Sequence, residues 1–273
     1  MTKITAVRSC TVRVPLETPT EFSTRRVLAR EFALVEVEGD DGHVGIGFTY
    51  GGDSAGSIVT EAVRALLGPM LIGEDPFRVE GLWDAMYRKA LLQGRAGSVM
   101  RALSALDIAL WDRNARAAAL PLYKMLGAYE SQSVRGYASG GYYLKDKTPA
   151  MLGEELRGYV DLGFDAVKIK VGRLGLAEEE ARLAAAREAI GNDVMLMLDC
   201  TNGWQDVETA LRFMAVFERY DPTLIEEPFL PDDVDNHARL AAATRVPVAT
   251  GEILAGRWSF AALLDRNAAT ILQ

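Results

Sequence analysis

The sequence predicts an α/β protein whose larger part is a TIM-type (β/α) barrel, incomplete in this chain, preceded by an α+β domain. Three observations carry this. From about residue 133 short apolar runs alternate with helical periodicity at roughly 25 to 32 residues per unit, the spacing of parallel strand-helix folds. No glycine-rich dinucleotide fingerprint or phosphate loop follows any of these runs, which favours a closed barrel over an open nucleotide-binding sheet. Residues 3 to about 50 alternate like antiparallel strands, and residues 57–119 then turn helical. The expected division is 1–130 for the α+β domain and 131–273 for barrel strands one to six.

In chain order, "ITAVRSCTVRV" and "FALVEVEGDDGHVGIGF" read as strands, with Gly39-Asp40-Asp41-Gly42 as a hairpin signal. "SIVTEAVRALLGPML", "VEGLWDAMYRKAL" and "SVMRALSALDIALWDRNARAAA" place apolar residues at three- and four-residue steps, as amphipathic helices do. Pro121 and Gly127 close that region. The barrel strands are expected at 134–139, 166–171, 194–199, 223–226, 246–251 and 269–273. The helices between them are expected near 148–161, 177–190, 205–219, 235–244 and 257–266, with Gly163 and Gly191 as C-terminal caps.

Composition narrows the partners. The 273 residues suffice for one large barrel or two ordinary domains. Hydrophobic content of 49%, charged content of 25% and mean hydropathy of +0.03 match a water-soluble chain. No apolar run reaches membrane-spanning length and no signal pattern opens the chain, so a cytoplasmic location is expected. A net charge of -8 argues against nucleic acid and anionic membrane as partners. Cys10 and Cys200 are too few for a disulfide framework or a thiolate metal site. His43 and His237 are expected to be ordinary surface residues.

The stretch "AVKIKVG" breaks the apolar pattern. Successive strand side chains face opposite ways, so Lys168 and Lys170 share one face while Val167, Ile169 and Val171 share the other. An edge strand wetting one face would explain a lone pair of lysines. The next strands supply a different reason: "VMLMLD" ends in Asp199, "TLIEEP" in Glu226-Glu227-Pro228, and "VPVATGE" in Glu252. Three acids 27 and 26 residues apart, each at the end of a strand, converge on one rim of a parallel barrel.

Carboxylates held that close repel unless a cation lies among them. All-oxygen ligation selects a hard ion, Mg²⁺ first, with Mn²⁺ as a substitute. Metal, lysines and carboxylates together suit an anionic substrate. A substrate carboxylate drawn to the metal becomes an electron sink, because loss of its α-proton yields an enediolate. A second ammonium and a nearby dication both favour the neutral form of a lysine, making one of the pair a usable base.

At this point the residues resemble the enolase superfamily, in its mandelate racemase-like branch. "KIKVG", "MLMLDCTNGW", "IEEPF", "VPVATGE" and the helix "SALDIALWDRNARAAALPLYKMLG" carry the resemblance, which covers essentially the whole chain. It implies an N-terminal capping domain, Lys170 as the general base, Lys168 as its supporting lysine at the substrate carboxylate, and Asp199, Glu226 and Glu252 as magnesium ligands. Glu227 points the other way from Glu226 and takes a supporting or structural place. Two capping loops would fall near Thr18–Arg25 and Phe48–Asp53, with Tyr50 as a candidate substrate contact. The resemblance further implies a small acidic substrate and a homo-oligomer.

Departures matter as well. Where the family commonly has Asn, this chain has Thr201, with Asn202 following as a candidate for contacts beside the metal. Muconate-lactonizing and dipeptide-epimerizing relatives usually carry an Asp where Gly251 stands, which favours racemases and sugar-acid dehydratases. The leading expectation is dehydration of an aldonate or aldarate, or racemisation of a 2-hydroxy acid. A muconate-type cycloisomerase or epimerase is the alternative, and an inactive metabolite-binding barrel is the rival outside enzymology. The second acid/base of such a site would lie beyond Gln273, with an aspartate expected two residues on and about 100 further residues to close a barrel of this kind.

Overall fold

The computed structural model describes residues 2–128 and 132–273. It divides into two compact units, Met1–Thr18 with Val27–Val134, and Pro19–Arg26 with Arg135–Gln273. The division is therefore not a single cut in the chain: the turn between the first two strands groups with the barrel strands.

In the first unit β1 (Ile4–Glu21), β2 (Arg26–Gly39) and β3 (Val44–Tyr50) form a sheet in that order, β2 and β3 antiparallel around the expected Gly39–Gly42 turn. Gly42, at φ 80°, takes the left-handed position such a turn needs. The helices are α1 (Gly56–Ala62), continued by a π turn over Val63–Leu67, then α2 (Val79–Ala90), α3 (Gly97–Ala117) and the short α4 (Leu122–Met125). Helix α3 lies directly on β3 because β3 is stripped of side chains where they meet. A Cβ on Gly45 would stand 2.0 Å from the Ala109 carbonyl oxygen, and one on Gly47 1.9 Å from that of Ala105. The wholly buried Arg113 of α3 pairs with Asp41 of the turn and lies over the Phe77 ring at 5.2 Å.

In the second unit six parallel strands follow one another in sequence order: β4 (Ala138–Gly140), β5 (Ala166–Lys170), β6 (Met195–Asp199), β7 (Pro222–Glu226), β8 (Val248–Thr250) and β9 (Ile271–Leu272). Between them run α5 (Pro149–Asp161), α6 (Leu176–Ile190), α7 (Val207–Phe217), α8 (Val234–Ala243) and α9 (Gly256–Asp265). Local chemistry starts the helices where expected. The side chains of Thr148, Asp206 and Asp233 accept from the N–H groups of Met151, Thr209 and Asn236, and Pro149 opens α5 without losing a hydrogen bond. Gly163 and Gly191, at φ 94° and 76°, end α5 and α6.

Val167 and Ile169 of β5 pack with Leu156, Leu183, Leu196 and Leu198 in one core that also takes in Met214, Phe217 and Val248. Each such side chain stabilises the fold by about 1.5–3 kcal/mol on burial. Every residue of β5 is buried and the strand is bonded on both sides, so the edge-strand explanation of its lysines does not hold. The helix and strand bounds lie within a few residues of those expected. His237 is a correction. It is fully buried, its ring edge-on to Phe229 at 5.3 Å and its Nδ1 2.8 Å from the Asp233 carbonyl oxygen. Its spacing of three from Leu240 puts it on the inner face of α8, which the surface expectation overlooked.

Candidate active site

Parallel register brings the strand ends level. Lys170 stands opposite Asp199, and Asp199 opposite Glu226. Lys168, Lys170, Asp199 and Glu226 are each no more than 8% exposed. Lys168 Nζ donates to both Glu226 oxygens, at 2.9 and 2.6 Å, and lies 3.4 Å from Asp199 Oδ2. Lys170 Nζ donates to the same Asp199 Oδ2. The other Asp199 oxygen accepts from the Thr201 N–H at 2.9 Å and from its hydroxyl at 3.0 Å. Thr201, read from the sequence only as a departure, thus orients the central carboxylate, using a left-handed φ of 47° to reach back.

The lysines also have aromatic neighbours. Lys170 Nζ is 4.8 Å from the Phe22 ring centre and 6.0 Å from that of Tyr142, and Lys168 Nζ is 5.5 Å from that of Tyr137. Phe22 reaches this place because the Pro19–Arg26 turn is tied down. Ser23 Oγ donates to the Val171 carbonyl at 2.6 Å and Thr24 Oγ1 to that of Thr201 at 3.3 Å. A lone phenylalanine in a turn carries no sequence signal for this.

The remaining candidates are placed less centrally. Glu252 is exposed, two residues past the end of β8. Asn202 donates from its backbone N–H to the Glu227 carbonyl at 2.7 Å and from Nδ2 to Glu227 Oε2 at 3.4 Å. Tyr50 belongs to the first unit, where its ring is 5.8 Å from that of Phe32 and its carbonyl accepts from Arg101 at 2.8 Å.

Electrostatically the acids outnumber the ammonium groups. Burial, reinforced by Asp199, raises Glu226 above the usual carboxylate range even though Lys168 opposes it. Burial and then the carboxylates of Glu252, Asp199 and Glu226 push Glu227 up to about 8. Burial acts to lower Lys168, but Asp199 and Glu226 outweigh it and hold that lysine above its ordinary value. The sequence argument that crowding lowers a lysine therefore does not describe Lys168 when only protein charges surround it.

Among the described residues no three His, Cys, Asp or Glu side chains are grouped closely enough to hold a metal ion; Asp199 and Glu226 are bonded to the lysines instead. The donor chemistry nevertheless fits a hard dication. The acids are all oxygen donors, they carry more negative charge than two lysines cancel, and Glu227 Oε1 is buried without a hydrogen-bond partner.

Comparison with known proteins identifies the family. Residues 4–127 match the mandelate racemase / muconate lactonizing enzyme N-terminal domain, and residues 151–273 match the enolase C-terminal domain-like family. The chain belongs to the mandelate racemase / muconate lactonizing enzyme family of the enolase superfamily. It is 37% identical over 245 residues to arabinonate dehydratase of Saccharolobus solfataricus, covering 89% of this chain and 64% of the relative. It is 36% identical over 273 residues to D-galactarolactone cycloisomerase of Agrobacterium fabrum, covering 99% and 70%. The crystal structure of L-talarate/galactarate dehydratase from Salmonella typhimurium LT2, liganded with Mg and L-lyxarohydroxamate, superposes with a TM-score of 0.92 at 32% identity, over 100% of this chain and 70% of that one. The chain thus spans about two thirds of the length of the relatives it matches. Among the described residues no helix is long and apolar enough to cross a membrane.

Proposed function

We propose that this chain carries the base side of an enzyme that removes the α-proton of an acid-sugar carboxylate and expels the β-hydroxyl, an aldonate or aldarate dehydratase. The observation that carries the reading is the pair Lys168 and Lys170, buried side by side against Asp199 and Glu226 at the ends of three adjacent parallel strands. A purely structural core has no use for two lysines there, since ion pairs of this kind are rarely worth more than the apolar side chains they displace. Lys170 is the proposed base, and Lys168 the lysine that holds the substrate carboxylate. Asp199, Glu226 and Glu252 are the proposed holders of Mg²⁺, with Mn²⁺ as a substitute.

When bound, the dication would supply positive charge to the substrate carboxylate as the α-proton leaves. The groups of this chain would serve the proton-abstraction half of the reaction, while the β-hydroxyl would leave as water by taking a proton from a second acid. Lys170 Nζ, as the neutral amine and turned from Asp199 to the substrate, would take the α-proton and become the ammonium. Lys168 would donate to a carboxylate oxygen. Phe22 and Tyr142 would limit the water reaching Lys170, and Thr201 would keep Asp199 from turning. Tyr50 and Asn202 remain proposed substrate contacts.

The first experiment is a panel of aldonates and aldarates with Mg²⁺ in D₂O, read by NMR. Release of a 2-keto-3-deoxy acid supports the dehydratase. Ring-closing or ring-opening isomerisation without loss of water would favour a cycloisomerase, a reading that the 36% identical relative keeps in view. Absence of both turnover and α-deuterium exchange across the panel would leave a binding barrel and sink the proposal.

A further inference from the structure

Helix α6 turns two charged side chains inward, one turn apart. Glu179 is wholly buried and Arg182 is 5% exposed. Their partners are not each other alone. Glu179 Oε1 accepts from the consecutive backbone N–H groups of Gly172, Arg173 and Leu174, all at 3.0 Å, and from the Tyr143 hydroxyl. Its Oε2 lies 3.3 Å from Arg182 Nε. Arg182 Nη2 donates to the Lys170 carbonyl at 2.9 Å and to the Gly141 carbonyl at 2.8 Å, and its guanidinium lies 4.3 Å from the Tyr143 ring centre.

The pair grips the main chain on both sides of Val171, at the point where strand β5 ends. Ladder bonds run out there, and Gly172 leaves the strand at φ 92°. Without Glu179 and Arg182 the Lys170 carbonyl and the Gly172 and Leu174 N–H groups would be left to water or unpaired, which is costly for buried polar groups, and the Arg173 N–H would keep only the Tyr143 hydroxyl at 3.2 Å. A run of N–H groups converging on one anion is a strong, directional clamp. The residue whose carbonyl is clamped is the one read above as the base.

We propose that Glu179 and Arg182 are positioning residues for Lys170: by fixing the backbone from Lys170 to Leu174 they set where its ammonium group stands relative to Asp199 and the substrate. The inference rests on the reading of Lys170 as the base. Proton abstraction demands close placement, and a misplacement of about 1 Å can cost on the order of 10²-fold in rate. Arg182 holds the Lys170 carbonyl while Glu179 holds the next turn of chain, so the two together fix the backbone that carries the Lys170 side chain.

The test uses Glu179→Gln, Arg182→Ala and Arg182→Lys in the full chain, the last also serving if the others fail to fold. Steady-state kinetics should show kcat lower by roughly 10- to 10²-fold with KM changed by less than about twofold. Arg182→Lys should recover part of what Arg182→Ala loses. Amide exchange at Gly172, Arg173 and Leu174 should accelerate, and crystal structures of the variants should show Lys170 Nζ withdrawn from Asp199. A lower melting temperature with kcat and the Lys170 position unchanged would overturn the proposal, leaving the pair a structural device. If the parent protein turns over no acid sugar but the variants still displace Lys170, the positioning inference stands and the functional reading falls.

Discussion

Each unit buries cations, and they are treated differently. In the first, Arg113 has one acid partner, Asp41, together with the Asn114 side-chain oxygen at 2.9 Å and the face of Phe77. Asp41 is held below the usual carboxylate range, first by its hydrogen bond to Arg113. Charges there are matched one to one, although Arg113 Nε is buried without a hydrogen-bond partner. In the second, two lysines face Asp199 and Glu226, with Glu227 buried beside them and Glu252 close enough to act on it. Here Glu226 and Glu227 are raised, and Glu227 keeps an unpartnered oxygen. Matched burial holds a fold together; surplus charge of one sign, kept in place by surrounding structure, marks a candidate functional site.

The comparison breaks most sharply at Lys170. Lys170→Ala should lower turnover by at least roughly 10²–10⁴, the usual contribution of a general base, while calorimetric titration with Mg²⁺ still shows binding. Near-normal turnover would place the base elsewhere. In the first unit the effect should be on folding instead. Arg113→Ala should destabilise by about 3 kcal/mol through the cavity left under α3 and the hairpin, seen as a shifted denaturant midpoint. An unchanged midpoint would mean that the pair with Asp41 is ornamental.

Glu226→Gln should sharpen the contrast between ligand and base. Mg²⁺ affinity is expected to fall at least about tenfold and activity with it, since changes even one shell further out commonly cost that much. A calorimetric isotherm identical to the parent's would remove Glu226 from the ligand set. The smallest effect concerns His237. Burial holds it below its ordinary value of 6.5. The unfolded chain therefore binds a proton near pH 6.5 that the folded chain refuses, so this residue makes stability fall as pH drops through that range. Denaturant melts between pH 7 and 5 should have a flatter dependence in His237→Phe, by at most about 1.4 kcal/mol per pH unit. Parallel curves would show that His237 keeps its proton equilibrium on folding.

Much of the second unit was legible because period and punctuation agree there. Gly163 and Gly191 mark helix ends through local chemistry that needs no partner elsewhere. Asp199 and Glu226 were legible because parallel register converts a sequence interval of 27 into spatial adjacency, whereas Glu252, expected with them, is exposed past the end of its strand. Other parts depend on packing that no interval encodes. "LAEEEARLAAAREAI" offers three consecutive glutamates, and only the packed helix decides that Glu179, not Glu178 or Glu180, turns inward. His237 was misplaced for the related reason that a polar residue on a short helix was read by its type instead of by its three-residue step to Leu240. Phe22 lies 148 positions from Lys170 and meets it only because a turn of the first sheet's strands groups with the barrel strands.

The clamp on β5 acts through peptide groups alone: a carbonyl at 170 and N–H groups at 172, 173 and 174. Such a hold is blind to the identity of the side chain it presents. Main-chain anchoring and side-chain identity are thereby separate at this strand end: a substitution at 170 would leave every one of these four bonds available.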